Sequence, residues 1–471
     1  MERGAIFTII GGFLIHLTLG TYFCFGNLNP YITSYIRDTS VDLRYKDSEW
    51  IFAAAAFGLA GSIFIGGLLR ARFGPRIAVL CGSCMMSSGV ALTYFSIQHS
   101  FAGVIITFGL MFGLGVGTAY AAPMDSAMMW IPDKKGLATG LILAGFGGSA
   151  FIFDYIQSWY INPDNLAPNS GKVDGEEYFT QKDLLGRVPN MFLILAACYV
   201  SLQFLGIVFL RLPKPEDTKG ANEQDSNGQR DGRHGRCVSN IDELDAVDNY
   251  DPLIEDARMT HFCHAVSQVG KQESVHWRNC WRTKEFWILW CILLFNCQGL
   301  IFFSTIWKTY GQTFIQDDRF LSVVGSFASI FNAAGRISWG YFGDKVSFKT
   351  AMLCLCALFT VLMFTFTLTK VADGKPLFFI YVCLTFGTFS GNYSLIPTAT
   401  ARTFGQEYFI QIYGILFSSQ MVISPVGSLL TSYLTDLIGW YGLFFLTAAC
   451  SSCSFILMFF FNKKMPDGND V

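Results

Sequence analysis

The chain has 471 residues, a formal net charge of −2, and 14% charged against 52% hydrophobic residues. Soluble domains carry about 25% charged residues, so this composition excludes an ordinary soluble protein and indicates a polytopic membrane protein. The net charge by itself indicates nothing about partners; we expect a small-molecule substrate and no nucleic-acid partner.

Twelve apolar segments of about 20 residues or more follow one another along the chain, and each is long enough to cross a bilayer core. The predicted spans are Ala5–Leu28, Trp50–Leu69, Ile77–Ile97, Phe101–Met128, Leu137–Gln157, Val188–Leu210, Phe286–Trp307, Phe320–Tyr341, Ala351–Lys370, Leu377–Thr400, Phe409–Leu434 and Trp440–Phe461. The pattern predicts an all-α membrane protein of twelve transmembrane helices in two six-helix bundles.

Basic residues concentrate in alternate loops between these spans. Arg70, Arg72 and Arg76 follow the second span, and Lys345 and Lys349 follow the eighth. Because basic loops stay on the cytoplasmic side of a membrane, these loops and both termini are predicted to be cytoplasmic.

A polar segment separates the first six spans from the last six. The predicted organisation is residues 1–210 as the N-terminal bundle, 211–284 as a largely disordered cytoplasmic linker, and 285–471 as the C-terminal bundle. His261 and Cys263 in the linker lack the spacing of a standard zinc site, and we expect neither a metal nor a cofactor.

One full charge, Arg336, lies within the eighth apolar span. An arginine inside a membrane span costs roughly 2.5 to 3.5 kcal/mol, so such a residue faces a protein-lined interior and is a functional candidate by default. We interpret Arg336 as the centre of an anion-binding site. The alternative is a helix-end arginine whose long side chain reaches the membrane interface.

The two halves of the chain contain related loops. Residues 67–76 after the second span and residues 340–349 after the eighth both pair glycines with basic residues at matching offsets. Two halves with a shared motif are typical of an internally duplicated transporter, whose binding site lies near the midplane between the halves.

These loops resemble the signature loops of the major facilitator superfamily. The second copy keeps the acidic residue as Asp344, whereas the first has Ala71 in that place. The resemblance implies the major facilitator fold and alternating access between two bundles. The predicted gating residues are Arg72, Arg76, Asp344, Lys345 and Asp125.

A narrower resemblance involves residues 130–148 and the pattern Asn332-x-x-Gly335-Arg336-x-x-x-Gly340. Both are similar to the oxalate/formate antiporter family and its monocarboxylate-transporter relatives. In that family the span-eight arginine binds the substrate carboxylate within an aromatic cage, and the resemblance assigns this role to Arg336.

The predicted substrate-binding residues are Arg336, Tyr120, Gln420, Phe417, Phe389, Asn332, Asn296, Gln298 and His16. Bundle packing is the alternative for the aromatic residues and for His16, and interhelical hydrogen bonds for Asn296 and Gln298. The family's dicarboxylate-binding member has a lysine where Gln420 stands, so a single cation favours a monocarboxylate. Proton-coupled relatives have an aspartate at the position of Asn332, which leaves His16 as the obvious intramembrane group that titrates near neutrality.

We therefore predict a secondary active transporter for small organic anions, working by exchange or facilitated transport. It is expected to be a monomer in the plasma membrane or an organelle membrane. The sequence shows no nucleophile–base set and no phosphate-binding loop, and we expect no enzyme activity. Two alternatives stay open: a carrier for another small solute, and a non-transporting membrane sensor.

Overall fold

The computed structural model describes residues 3–169, 177–213, 274–315, 317–371 and 374–463. The part of the chain before residue 212 and the part from Ser274 onward form one compact helical unit. Most of the predicted linker, residues 214–273, lies outside the described residues, and so do His261 and Cys263.

Helices make up the described chain almost throughout, and twelve apolar helical segments follow in order. They are α1 (Arg3–Thr39), α2 (Asp47–Phe73), α3 (Pro75–Ser96), α4 (Phe101–Trp130), α5 (Pro132–Ile161), α6 (Lys182–Phe209), α7 (Lys284–Ser304), α8 (Arg319–Lys345), α9 (Phe348–Thr365), α10 (Lys375–Phe404), α11 (Phe409–Ile423) and α12 (Leu437–Phe459). Among the described residues, eleven of these are long and apolar enough to cross a membrane, and α11 is a shorter apolar helix.

The structure confirms the twelve-helix architecture and adjusts several predicted ends. The helix that contains α7 continues to Gln312, beyond the predicted Trp307. From Ser418 the helical backbone runs to Phe459 and breaks only at Gly439, whose φ is 64°. Because L-residues are strained at such a φ, glycine suits this kink, which lies near the start of α12.

The first span is not a uniform α-helix. It tightens into a 3₁₀-helix over Gly20–Cys24 and continues as an α-helix over Phe25–Thr39, which contains Pro30. Proline removes a backbone donor and disfavours a straight helix. The predicted end at Leu28 lies just before this proline, whereas the helix continues to Thr39.

Helices α5 and α8 pack with their backbones in contact. A methyl group added at Gly136 would lie 2.3 Å from the Gly340 carbonyl oxygen, and one at Gly140 would lie 2.4 Å from the Arg336 carbonyl oxygen. Only glycine fits such an approach, so these glycines hold α5 of the first half against α8 of the second. We call the end of the molecule where α2, α4, α8 and α10 finish the basic end.

Candidate substrate-binding site

Arg336 is fully buried, with 0% of its surface exposed. Its Nε donates a hydrogen bond to Asn332 Oδ1, one turn earlier on α8, at 3.0 Å. The two terminal nitrogens, Nη1 and Nη2, have no hydrogen-bond partner among the described residues. The side chain therefore does not reach an interface, and its paired donor edge is free to receive a planar anion.

Two aromatic rings flank the guanidinium of Arg336. Its central carbon lies 5.3 Å from the ring centroid of Phe146 on α5 and 4.7 Å from that of Tyr393 on α10. A cation over a desolvated aromatic face gains about 2 kcal/mol, which offsets part of the cost of burial. The rings come from both bundles, so the charge lies at the seam between them.

A cluster of aromatic side chains adjoins this charge. Tyr120 on α4 lies beside the guanidinium. Its ring centroid is 5.3 Å from His16, 5.4 Å from Phe146 and 6.1 Å from Phe417. Three predicted residues from α1, α4 and α11, namely His16, Tyr120 and Phe417, are therefore in contact, and Tyr120 is the one that lies beside Arg336.

Several buried polar atoms in this region are unsatisfied within the described structure. His16 Nδ1 is bonded to the Gly12 carbonyl at 2.9 Å, whereas its Nε2 has no partner. The Tyr413 hydroxyl and Gln420 Nε2 are also buried without a partner. Buried polar groups are normally paired, so a cluster of unpaired ones beside an unpaired cation marks a place for a polar ligand.

The contacts of the remaining predicted binding residues lie within the C-terminal half. Asn296 donates to Asn392 Oδ1 at 2.8 Å inside the C-terminal bundle, which is the interhelical arrangement. Phe389 packs on Phe386, with ring centroids 5.1 Å apart. Gln298 Oε1 is buried without a described partner. The binding roles of Asn296, Phe389 and Gln298 stay predictions.

Asp344 fastens the two halves together at the basic end. Its carboxylate accepts the backbone N–H groups of Gly136 at 2.9 Å and Leu137 at 2.7 Å, and it pairs with Arg402 at 2.7 Å. The first N–H groups of a helix have no intrahelical partner, and the helix dipole favours an anion there. Asp344 on α8 therefore caps α5 of the opposite half, as a gating residue would.

Asp125 forms a second connection at this end. Its carboxylate pairs with Arg70 on α2 at 2.5 Å and accepts the side-chain amide of Gln406 at 2.6 Å. Lys135 donates to the same glutamine at 3.1 Å. Because Gln406 follows α10, this network links α2, α4 and α5 of the first half to the second half.

The other predicted gating residues have local contacts. Arg72 lies over the neighbouring Phe73 ring, and Arg76 donates to the Leu210 carbonyl at 2.7 Å, both within the N-terminal half. Lys345 lies over Tyr341 on its own helix. Arg70, which the sequence motif contained but did not single out, pairs with Asp125 within the first half, and Gln406 makes the contact with the second half.

A short segment before α7 crosses the basic end. Val275 donates its backbone N–H to the Phe404 carbonyl at 2.8 Å, and His276 contacts Tyr408 with ring centroids 4.7 Å apart. The Trp277 ring then lies 5.2 Å from Phe64 on α2. This segment, which we call the strap, is attached to the C-terminal half and contacts both halves.

The fold defines a polytopic membrane protein, and a buried cation lies between its two halves. The model of the Major Facilitator Superfamily matches residues 14–409, with a second match to residues 320–470. The chain therefore belongs to the Major Facilitator Superfamily and is a multi-pass membrane protein.

Curated relatives include carriers of organic anions. The chain is 29% identical to apicoplast pyruvate carrier 1 of Toxoplasma gondii, over 96% of this chain and 88% of the relative. It is 25% identical to the oxalate:formate antiporter of Oxalobacter formigenes, over 86% and 80%. It is also 23% identical to monocarboxylate transporter 9 of Pongo abelii, over 84% and 79%.

Solved transporters share the fold at low identity. The chain superimposes on the transporter FucP in its outward conformation with a TM-score of 0.61 and 15% identity, covering 98% of this chain and all of that one. The proton:xylose symporter XylE gives a TM-score of 0.66 at 11% identity, covering 97% and 95%.

Proposed function

We propose that the chain is a secondary transporter of small monocarboxylates, with pyruvate as the first substrate to test. The observation that carries the proposal is the buried guanidinium of Arg336, whose Nη1 and Nη2 are unpaired within an aromatic shell. A carboxylate presents two oxygens at the spacing of this donor pair and neutralises the charge. Relatives named as pyruvate, oxalate:formate and monocarboxylate carriers support the same substrate class.

Charge count favours one carboxylate over two. Arg336 is the cation at this site, and the α11 position at which the family's dicarboxylate-binding member has a lysine holds the neutral Gln420. A second carboxylate would have to be desolvated without a cation beside it, which costs several kcal/mol. The unpaired Gln420 amide and Tyr413 hydroxyl suit the neutral oxygen of a keto acid or hydroxy acid instead.

The closed basic end suggests how transport proceeds. The caps and pairs of Asp344 and Asp125 join the two halves there, so a substrate would reach Arg336 from the opposite end. Neutralisation of the guanidinium lowers the cost of enclosing the site, after which the links at the basic end separate and the substrate leaves. An empty carrier retains an unpaired buried cation, so it reorients more slowly than the loaded carrier, and exchange should be faster than net uptake.

The distribution of basic residues indicates how the protein is oriented in its membrane. The basic end, with Arg70, Arg72 and Arg76, would face the cytoplasm together with both termini. Two relatives are named for an organelle, so an organelle membrane stands beside the plasma membrane as the location. We propose a monomer as the transporting unit, since both halves of the site come from one chain.

The test compares Arg336→Lys with Arg319→Lys in proteoliposomes. Arg319 is exposed at the opposite end of the same helix and serves as the matched control. Hydrogen bonds to charged groups contribute about 1.5 to 3 kcal/mol each, so loss of the paired donors should reduce labelled pyruvate uptake roughly 100-fold or more. The control should transport like the unchanged protein. Equal uptake by both variants would show that Arg336 does not bind the substrate.

A further inference from the structure

A partly buried carboxylate lies in the N-terminal half, apart from the proposed anion site. Asp154 is on α5, seven residues from Gly147, which is about two helical turns or roughly 10 Å along the helix. Its Oδ1 is buried and has no hydrogen-bond partner among the described residues. By residue count the carboxylate lies about 11 Å from the middle of α5, inside the hydrocarbon core.

Among the residues that the structure describes, the neighbours of Asp154 supply no positive charge. The titratable groups that face it are the Cys24 thiol on α1 and the Tyr199 phenol on α6, and the thiol lies within hydrogen-bond reach. The side-chain amide of Asn27 on α1 donates a hydrogen bond to the backbone carbonyl of Asp154 at 3.3 Å. An ionised carboxylate without a cation is costly at such a depth, so this site is built to hold a carboxylate together with a bound proton.

Direct packing connects this carboxylate to the anion site. Cys24 closes the 3₁₀ segment of α1, whose Gly20 packs on the backbone of Phe146. Phe23 of the same segment contacts the Phe146 ring edge-to-face, with centroids 5.5 Å apart. Phe146 in turn flanks the guanidinium of Arg336. A short 3₁₀ stretch within a helix is a common place for a hinge, so a change at one site can move the other.

We propose that Asp154 is the proton-binding site of the carrier and that its proton moves with the substrate anion. This inference rests on the proposed function. The proton enters from water at the end opposite the basic end and converts the carboxylate to a neutral carboxylic acid. Arg336 and the substrate carboxylate neutralise each other at the same time. The loaded carrier then has neither charge uncompensated, and the proton and the anion are released together at the basic end.

The experiment uses the full chain in proteoliposomes that contain an internal pH dye. Two fluxes are measured for each protein: pyruvate accumulation driven by an inward proton gradient, and exchange of labelled for unlabelled pyruvate at equal pH. For the unchanged protein, a gradient of one pH unit should accumulate pyruvate about tenfold, with one proton entering per pyruvate. Asp164→Asn, at an exposed outer-loop position, is the control and should behave identically.

Asp154→Asn keeps the size of the side chain and removes the proton-binding group. Its ratio of gradient-driven to exchange flux should fall about tenfold, which brings accumulation to the level without a gradient. If the variant shows neither flux, Asp154→Glu decides, because it must recover gradient-driven accumulation. The proposal would be overturned if Asp154→Asn had the same ratio of gradient-driven to exchange flux as the unchanged protein. It would also be overturned if the unchanged protein took up pyruvate without protons. Failure of the proposed function looks different: the unchanged protein would then show no pyruvate exchange at all.

Discussion

Gly147 offers a sharp test of how Arg336 is held. A methyl group at this position would lie 2.7 Å from Asn332 Oδ1 and 3.0 Å from Arg336 Nε. These atoms form the hydrogen bond that orients the guanidinium, 3.0 Å long in the present structure. Relief of the overlap requires a shift of several tenths of an ångström, which takes that bond beyond hydrogen-bonding distance.

The expected cost follows from the kind of bond that is lost. A hydrogen bond to a charged group contributes about 1.5 to 3 kcal/mol, and each 1.4 kcal/mol is about tenfold in affinity. We therefore expect Gly147→Ala to weaken pyruvate binding roughly 10- to 100-fold. The measurement is the concentration dependence of exchange in proteoliposomes, because a misoriented guanidinium raises the half-saturating concentration.

The next residue provides a matched control for this substitution. At Gly148 the nearest heavy atom to an added methyl group is Ala333 Cβ at 3.5 Å, which is ordinary contact. Gly148→Ala should thus leave exchange close to that of the unchanged protein. If the two alanine variants have the same half-saturating concentration, the orientation of Arg336 by Asn332 does not contribute to binding.

Further substitutions probe the flanking ring, the cap and the strap. Tyr393→Phe should keep binding by Arg336, whereas Tyr393→Leu should weaken it up to about 30-fold, as measured by exchange, because about 2 kcal/mol of cation–π stabilisation is lost. Asp344→Asn should shift the carrier toward opening at the basic end, seen as a longer distance between spin labels on the basic ends of α5 and α8; an unchanged distance would contradict the role of the cap. Trp277→Ala should speed exchange several-fold, because it removes an aromatic contact of about 1 kcal/mol with α2. Trp281→Ala, at an exposed position, should leave the exchange rate unchanged. Equal exchange rates in the two variants would show that the strap does not restrain opening.

The twelve-helix architecture could be predicted from the sequence, because membrane spans are recognised by their length and apolarity alone. The sequence also singled out Arg336, since a lone charge in an apolar run is conspicuous. It could not indicate which rings flank that charge, because 46 phenylalanines offer too many candidates. Phe146 and Tyr393 become evident only when α5 and α10 are placed around α8.

Helix phase limited the prediction of the gate. Arg70 and Arg72 are two residues apart, which turns their side chains about 200° from each other around α2. One therefore faces the interior and the other faces outward, and a loop motif does not state which. Burial answers the question, since Arg70 meets the fully buried Asp125 whereas Arg72 is exposed.

The replacement of the acidic residue by Ala71 makes the two seams of the molecule unequal. The α5–α8 seam has the charged cap of Asp344, whereas the α2–α11 seam has a neutral hydrogen bond from Gln411 to the Gly67 carbonyl at 3.1 Å. When this seam opens, a hydrogen bond to water can replace the neutral hydrogen bond at little cost in free energy. The charged cap of Asp344 costs more to separate. Water should thus enter the basic end first between α2 and α11, and a departing substrate would leave along that side, with α5 and α8 as the axis about which the halves turn.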